Sequence, residues 1–262
     1  MCWAKVSEDG QSRFHGWRGL HASRLELEVV KAILRRRVRS ALRGFMIPEV
    51  YESAAYDDRR ERERLAVVAE SGLPLRLHIG CGPRVLAGWI NIDLAYQPFE
   101  HYLDAYGEDH DGAARGGRED FFAVDVTRGL PLPDGCAEVV FHEDFIEHLS
   151  QRDAVGFLAE AHRVLQDGGV HRVNSPNLAS SMRDHSDFTR GLAGTYAAEW
   201  DRWQHRNVFT PRYLEEIALM VGYSRVDFNE RNGSSCALIV AEWRPSPDDR
   251  PEDGNLFTDL IK

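Results

Sequence analysis

The chain has 262 residues, 43% hydrophobic and 28% charged, enough apolar material for one core with appended segments. No stretch approaches the ~20 apolar residues of a membrane span, and MCWAKVSEDGQSRFHGW holds no apolar leader core, so a soluble, non-secreted protein is expected. The net charge of -10 divides into +5 over residues 1–50 and -15 over the remainder; so acidic a main domain is a poor partner for nucleic acid.

Four cysteines (Cys2, Cys81, Cys136, Cys236) lie far apart without C-x-x-C spacing. Neither a disulfide framework nor a structural zinc site is expected, and the cytoplasm is the expected setting.

Residues 1–20 show no periodicity. The spacing then predicts a helix over residues 24–43: Ser23 and Glu26 form a capping box, and Leu27, Val30, Leu34, Val38 and Ala41 share one face. Arg35, Arg36, Arg37, Arg39 and Arg43 crowd its end, where cations suit the helix dipole. This basic helix either packs with a solvated charged face or makes a peripheral membrane or protein contact. A charge-laced helix is expected at roughly 57–70.

From residue 75 strands alternate with helices. Leu75–Ile79 ends in Gly80-Cys81-Gly82, Trp89–Ile92 in Asp93, and Phe121–Val124 in Asp125, with Glu138–Phe141 as the fourth strand. Ser150 and Asp153 open a helix that Gly168-Gly169 should stop, before a fifth strand at Val170–Val173. Thr210-Pro211 opens another helix, closed by Gly222. Ser224–Phe228 and Cys236–Trp243, joined through Asn232-Gly233, read as a final antiparallel pair. Residues 244–262, rich in Pro and Asp, read as a surface tail. The pattern specifies a doubly wound, Rossmann-like α/β sheet. The expected division is a helical extension over 1–72, a main domain over 73–243 with an insertion at 179–208, and a tail over 244–262.

Ligands of such sheets bind at the carboxyl ends of the strands, where three features coincide. Gly80-x-Gly82 lets backbone approach a ligand closely. Asp93 can accept a ribose diol, and Asp125 an exocyclic amine. Asp93 lies thirteen residues after Gly80, short of the roughly 20 of a dinucleotide fingerprint, which argues against a dehydrogenase.

With these motifs the chain resembles the class I S-adenosylmethionine-dependent methyltransferases, and within them a bacterial branch of predicted methyltransferases often encoded near glycosyltransferases. The matching text is LRLHIGCGPRVLAGWINID, LPLPDGCAEVVFHEDFIEHL, FLAEAHRVLQDGGVHRVNSPNL and HRNVFTPRYLEEIALMVGY, spanning roughly residues 73–243. The resemblance implies a seven-stranded sheet whose seventh strand is antiparallel. It implies S-adenosyl-L-methionine over Gly80, Cys81 and Gly82, Asp93 on its ribose, Asp125 and the Val126 backbone on its adenine, and Glu143 among its contacts. The chain departs from the broader family at His78, where an acid is usual, and at Pro83-Arg84, near a usual third glycine. Only six residues separate Gly82 from Trp89, too few for the usual helix, a shortening that the bacterial branch shares.

The [DN]-P-P-[YF] text of base-amino methyltransferases is absent after the fourth strand, where FHEDFIEHL stands. An alcohol acceptor needs a base, and His142, His148, His185 and His205 are the candidates. His142 reads as structural; His148 and His205 are the expected catalytic pair. The insertion Ala179–Val208, with Tyr196, Trp200 and Trp203, is either an acceptor lid or a helical cover. Asp144, Glu147 and His148, at i, i+3 and i+4, would share a helix face and could hold a divalent cation. The text is similar to the E-x-x-E-H motif of small-RNA 2′-O-methyltransferases, although E-H-L also occurs in metal-free relatives. The expected activity is O-methylation of a small-molecule or glycan acceptor. The alternatives are N- or C-methylation of a small metabolite, or a non-catalytic binding module that regulates a partner.

Overall fold

The computed structural model describes residues 58–70, 74–106, 112–184, 186–187, 193–194, 199–200, 203–242 and 252–262. The predicted basic helix over 24–43 lies outside them, as do His185 and Tyr196. The first described helix, α1 (Asp58–Ala69), leads into β1 (Leu75–Ile79), β2 (Ile90–Asp93), α2 (Phe99–Tyr106) and β3 (Phe121–Ala123). There follow β4 (Ala137–Glu143), α3 (Gln151–Val164), β5 (Leu165–Pro176), α4 (Leu178–Asp184), α5 (Pro211–Val221), β6 (Arg225–Asn229) and β7 (Asn255–Ile261). A two-residue pairing of Ser186–Asp187 with Ala193–Gly194 stands apart from the main sheet.

The seven strands form one sheet in the order β3-β2-β1-β4-β5-β7-β6. Strands β1 to β5 pair in parallel, and β7 runs antiparallel to both neighbours. Crossing from β1 to β4 reverses the direction of winding, which leaves a crevice at the carboxyl ends of those two strands.

One face of the sheet packs Leu77, Ile79, Ile92 and Val140 against Ala154, Phe157, Leu158 and Ala161 of α3 and Leu214 and Ala218 of α5. Ser150 caps α3, accepting the Asp153 amide, and Thr210 caps α5, accepting that of Tyr213. Each cap satisfies an orphan donor, as the sequence predicts. On the opposite face Val139 and Phe141 meet Leu86 and Trp89, with Cys236, Leu238, Ile239 and Val240 packed against them. No helix joins β1 to β2, so an extended segment does the covering there.

Four expectations are corrected. Residues 244–262 are no surface tail throughout: Asn255–Leu260 are buried in β7, which pairs with β5 from Val170↔Ile261 to Pro176↔Asn255. The segment from Cys236 to Glu242 forms no strand; the partner of β6 is β7, paired from Arg225↔Ile261 to Asn229↔Phe257. Helix α3 ends at Val164, and Gly168-Gly169 lie inside β5 rather than stopping the helix. Finally α1 belongs with the sheet: Leu65 is in the core, and Gly44–Lys262 is one compact unit, so no boundary falls at residue 72.

The charged residue that disguises β7 is Asp259. It is buried with its partner Arg172 on β5, at 3.1 Å, and accepts further hydrogen bonds from Asn229, Ser234 and Ser235. Arg172 also pairs with Glu242 at 2.7 Å. Buried charges persist only when paired and hydrogen-bonded in this way. Among the described residues no helix is long and apolar enough to cross a membrane.

Candidate active site at the carboxyl edge of the sheet

The chain leaves β1 through Gly80 (φ 62°) and Gly82 (φ 52°), both in the left-handed region. A Cβ on Gly80 would lie 2.5 Å from the Phe145 ring, so glycine is required by space as well as by backbone conformation. The Asp93 carboxylate accepts the amides of Gly82 at 2.8 Å and Leu94 at 2.6 Å. It therefore ties the glycine loop to the end of β2. A carboxylate offers about four acceptor sites, so this role is compatible with holding a ribose diol. Cys81 is buried beneath the loop.

His78, where an acid was the family pattern, is buried, stacks on Phe141 and meets Asn91 Oδ1 at 3.2 Å. Asn91 closes the short connection: it accepts the Leu86 amide and donates to the Leu86 and Trp89 carbonyls at 2.9 and 3.0 Å. This side chain does locally what a helix would otherwise do. Sequence reasoning passed over it, since a lone Asn before an Asp carries no periodic signal.

At the end of β3, Asp125 caps the turn Val126–Arg128, accepting from Thr127 N at 3.0 Å and Thr127 Oγ1 at 2.7 Å. Val126 is buried. Glu143, at the end of β4, is buried and ion-paired with Arg84, itself wholly buried and also donating to the Ala241 carbonyl. In this arrangement Glu143 anchors the loop after β1 and, through Arg84, the segment that covers the sheet.

The expected helix face of Asp144, Glu147 and His148 does not form. Asp144 adopts φ 45° and accepts from Asn255 Nδ2 at 3.0 Å, while Ile146–His148 is a single tight turn ahead of α3. The tertiary structure instead brings His205 to Glu147 and His148, with one donor atom of each residue within 4.8 Å of the others. The His148 and His205 rings lie 4.9 Å apart and nearly perpendicular. His205 Nδ1 donates to Glu199 Oε2 at 2.8 Å, and Nε2 lies 3.9 Å from Glu147 Oε1. Ser181 Oγ donates to Glu199 Oε1 at 2.7 Å.

Backbone hydrogen bonds lock the cluster. The Glu147 carbonyl accepts the amides of Arg206 and Asn207 at 2.8 and 2.9 Å, and the Glu199 carbonyl that of His205 at 2.9 Å. Glu199 and Ser181 went unread in the sequence, lying six and twenty-four residues from His205 with no motif joining them. Within the same insertion Trp200 is exposed and Trp203 half-buried.

His142 is structural, as expected. It packs among Phe145, Phe157 and His171, and burial pushes its pKa down to about 3. His171 is buried beside it, meets the Tyr223 hydroxyl at 2.8 Å and is lowered well below the usual value, by burial first and then by His142. Neutral imidazoles are the form a low-dielectric core favours.

Residues 77–173 match the family model described as a methyltransferase domain. A "Probable S-adenosylmethionine-dependent methyltransferase" of Mycolicibacterium smegmatis is 41% identical over 146 residues, 52% of this chain and 53% of that protein. The chain thus spans about half the length of the curated relative it matches. Among solved structures it is similar to a SAM-dependent methyltransferase from Archaeoglobus fulgidus, with a TM-score of 0.44 and 15% identity over 83% of this chain and 99% of that one. It is also similar to a Burkholderia thailandensis 1,6-didemethyltoxoflavin-N1-methyltransferase, with a TM-score of 0.40 and 17% identity over 94% and 93%. The assignment of architecture comes from the strand order itself.

Proposed function

With residues 77–173 matching a methyltransferase domain, we propose that the chain is an S-adenosylmethionine-dependent methyltransferase acting on an oxygen of a small-molecule or glycan acceptor. The observation that carries the cofactor reading is the glycine loop tied by Asp93 at the carboxyl edge of a sheet ordered β3-β2-β1-β4-β5-β7-β6. Gly80, Cys81 and Gly82 would offer backbone to the cofactor, Asp93 its carboxylate to the ribose, and Asp125 with the Val126 backbone would meet the adenine. S-adenosylmethionine, when bound, supplies an electrophilic methyl group on a sulfonium. The chain itself must then position the acceptor and see its proton removed.

The cluster of His148, His205 and Glu147 supports oxygen as the acceptor atom. An alcohol ionises far above neutrality, so its proton has to leave as the new bond forms, and imidazoles backed by carboxylates are suited to that demand. His205 belongs to the insertion and His148 to the turn after β4, and their rings are in contact, so an acceptor reaching this edge of the sheet would meet both from one side. Glu143 is assigned a supporting role through Arg84.

Titration calorimetry with S-adenosylmethionine and S-adenosylhomocysteine tests the cofactor reading, and failure to bind either in the folded protein overturns it. Transfer of a labelled methyl group to a panel of hydroxylated small molecules and glycans tests the acceptor. Label found on nitrogen or carbon would move the acceptor atom.

A further inference from the structure

We propose that Asn255, at the start of β7, is a positioning residue for the cofactor loop: it holds Asp144 in the left-handed conformation that lays Phe145 against Gly80. Asp144 follows β4 with φ 45°, a region that side-chain-bearing residues seldom enter and keep only where their surroundings hold them there. Here both backbone and side chain are held. The Asp144 amide donates to the Asn174 carbonyl at 3.0 Å, and its carboxylate accepts from Asn255 Nδ2 at 3.0 Å. A carboxylate can only accept, which fixes the orientation of the Asn255 amide. The same nitrogen donates to Asn174 Oδ1 at 2.6 Å, so one buried side chain joins β5 to the turn after β4.

The anchor is itself fixed. Asn255 stands opposite Pro176 in the pairing of β5 with β7. The residues before it are tied to the chain leaving β5: the Gly254 carbonyl accepts the Asn177 amide at 2.9 Å, and the Asp253 carbonyl accepts from Asn177 Nδ2 at 3.1 Å. Asn255 can therefore impose a backbone conformation on Asp144 rather than follow it.

The conformation of Asp144 sets the course of the next residue. Phe145 fills the space that a side chain on Gly80 would need, with its Cβ 2.8 Å and its Cδ2 2.5 Å from the place of that missing Cβ. The Phe145 ring also packs on His142 and Phe157, so it backs the glycine loop with a surface continuous with the core. The loop is held from its other side, where the Gly80 amide donates to the Ile92 carbonyl at 2.8 Å and the Gly82 amide to Asp93. Were Asp144 to relax to a negative φ, the chain would turn elsewhere and Phe145 would leave this place. The effect on cofactor rests on the methyltransferase reading; the coupling of Asn255 to the loop does not.

The test compares full-length Asn255→Ala with the same variant carrying Asp144→Gly as well. Glycine adopts a positive φ without a side-chain anchor, so the second change should restore what the first removes, whereas a residue that only fills the core would not be rescued. In titration calorimetry with S-adenosylhomocysteine, Asn255→Ala should bind about 10-fold more weakly, the scale of one lost hydrogen bond to a charged acceptor, and the double variant within about 3-fold of the parent. Amide hydrogen exchange at Gly80 and Gly82, followed without cofactor, should quicken in Asn255→Ala and slow again in the double variant. Thermal melts establish folding. Where Asn255→Ala does not fold, Asp144→Ala cuts the same link from its other end and should give the same losses. Unchanged binding and exchange in folded Asn255→Ala, or losses that Asp144→Gly does not restore, overturn the proposal. If exchange responds as described while the parent protein binds no S-adenosylhomocysteine, the positioning role stands and the cofactor reading fails. If the parent binds and neither readout responds, the reverse holds.

Discussion

The Asp93 carboxylate accepts the amide protons of Gly82 and Leu94, so its loss would act on the loop and, in the proposed cofactor reading, on the ribose as well. Asp93→Ala is expected to weaken S-adenosylmethionine binding by ~1.5–3 kcal/mol, the usual cost of losing charged hydrogen bonds. Calorimetry decides it; unchanged affinity in a folded variant would place the ribose elsewhere. In the proposed mechanism His148 and His205 belong to the acceptor side. Replacing either with alanine should cut turnover by ~10²–10⁴-fold and leave cofactor affinity within a few-fold. Normal turnover of both variants with the true acceptor would remove them from the mechanism.

Among the elements, β7 changes the account of the chain most. Its pairing with β5 and β6 buries Asp259 opposite Arg172, which also holds Glu242. Burial pushes the Glu242 carboxyl up while Arg172 opposes it, so this cation is central to the group. Arg172→Met would leave two buried carboxylates without it and should destabilise the fold by ~3–5 kcal/mol. Denaturant unfolding measures this, and a cost below about 1 kcal/mol would show that the ion group does not anchor the sheet. Ending the chain at Gly254 should abolish folding, where a surface tail could be removed without loss. At the smaller scale of a cap, Ser150→Ala should cost about 1 kcal/mol of stability through the start of α3.

For the whole molecule, two neighbouring core histidines link stability to pH. His142 has its pKa lowered to about 3 and His171 is lowered well below 6.5. The unfolded chain takes up protons near pH ~6.5 that the native core refuses, so unfolding binds protons at lower pH. Stability from this source is full above pH ~6.5 and falls with acidification, for His142 by about 1.4 kcal/mol per pH unit down to about 3, with His171 acting in the same direction. Unfolding free energies measured from pH ~7 to ~5 should show that slope, and His142→Leu should reduce it by about one proton. An unchanged slope would exclude His142 as its source. Every assigned cofactor residue lies within the unit Gly44–Lys262, so removing residues 1–43 should leave cofactor binding intact.

The five parallel strands, the caps Ser150 and Thr210, and the order of glycines and aspartates at the strand ends could all be read along the chain. Each rests on interactions between residues a few positions apart, which leave a period or a spacing behind them. The proposed cofactor half of the site rests on residues equally near in the chain, Gly80, Gly82 and Asp93, which follow one another across a single short connection. The acceptor half is different in kind. Glu147 meets His205 across 58 positions, and Glu199 matters because its carboxylate reaches Nδ1, a fact without linear signature. For the same reason Asp259 made a core strand look like a solvated tail. A charge is tolerable in a core only beside its partner, and here the partner is Arg172, 87 residues earlier. Which distant groups meet is set by sheet pairing and packing, so the ion group beside β7 and the histidine cluster emerge only once the chain has folded.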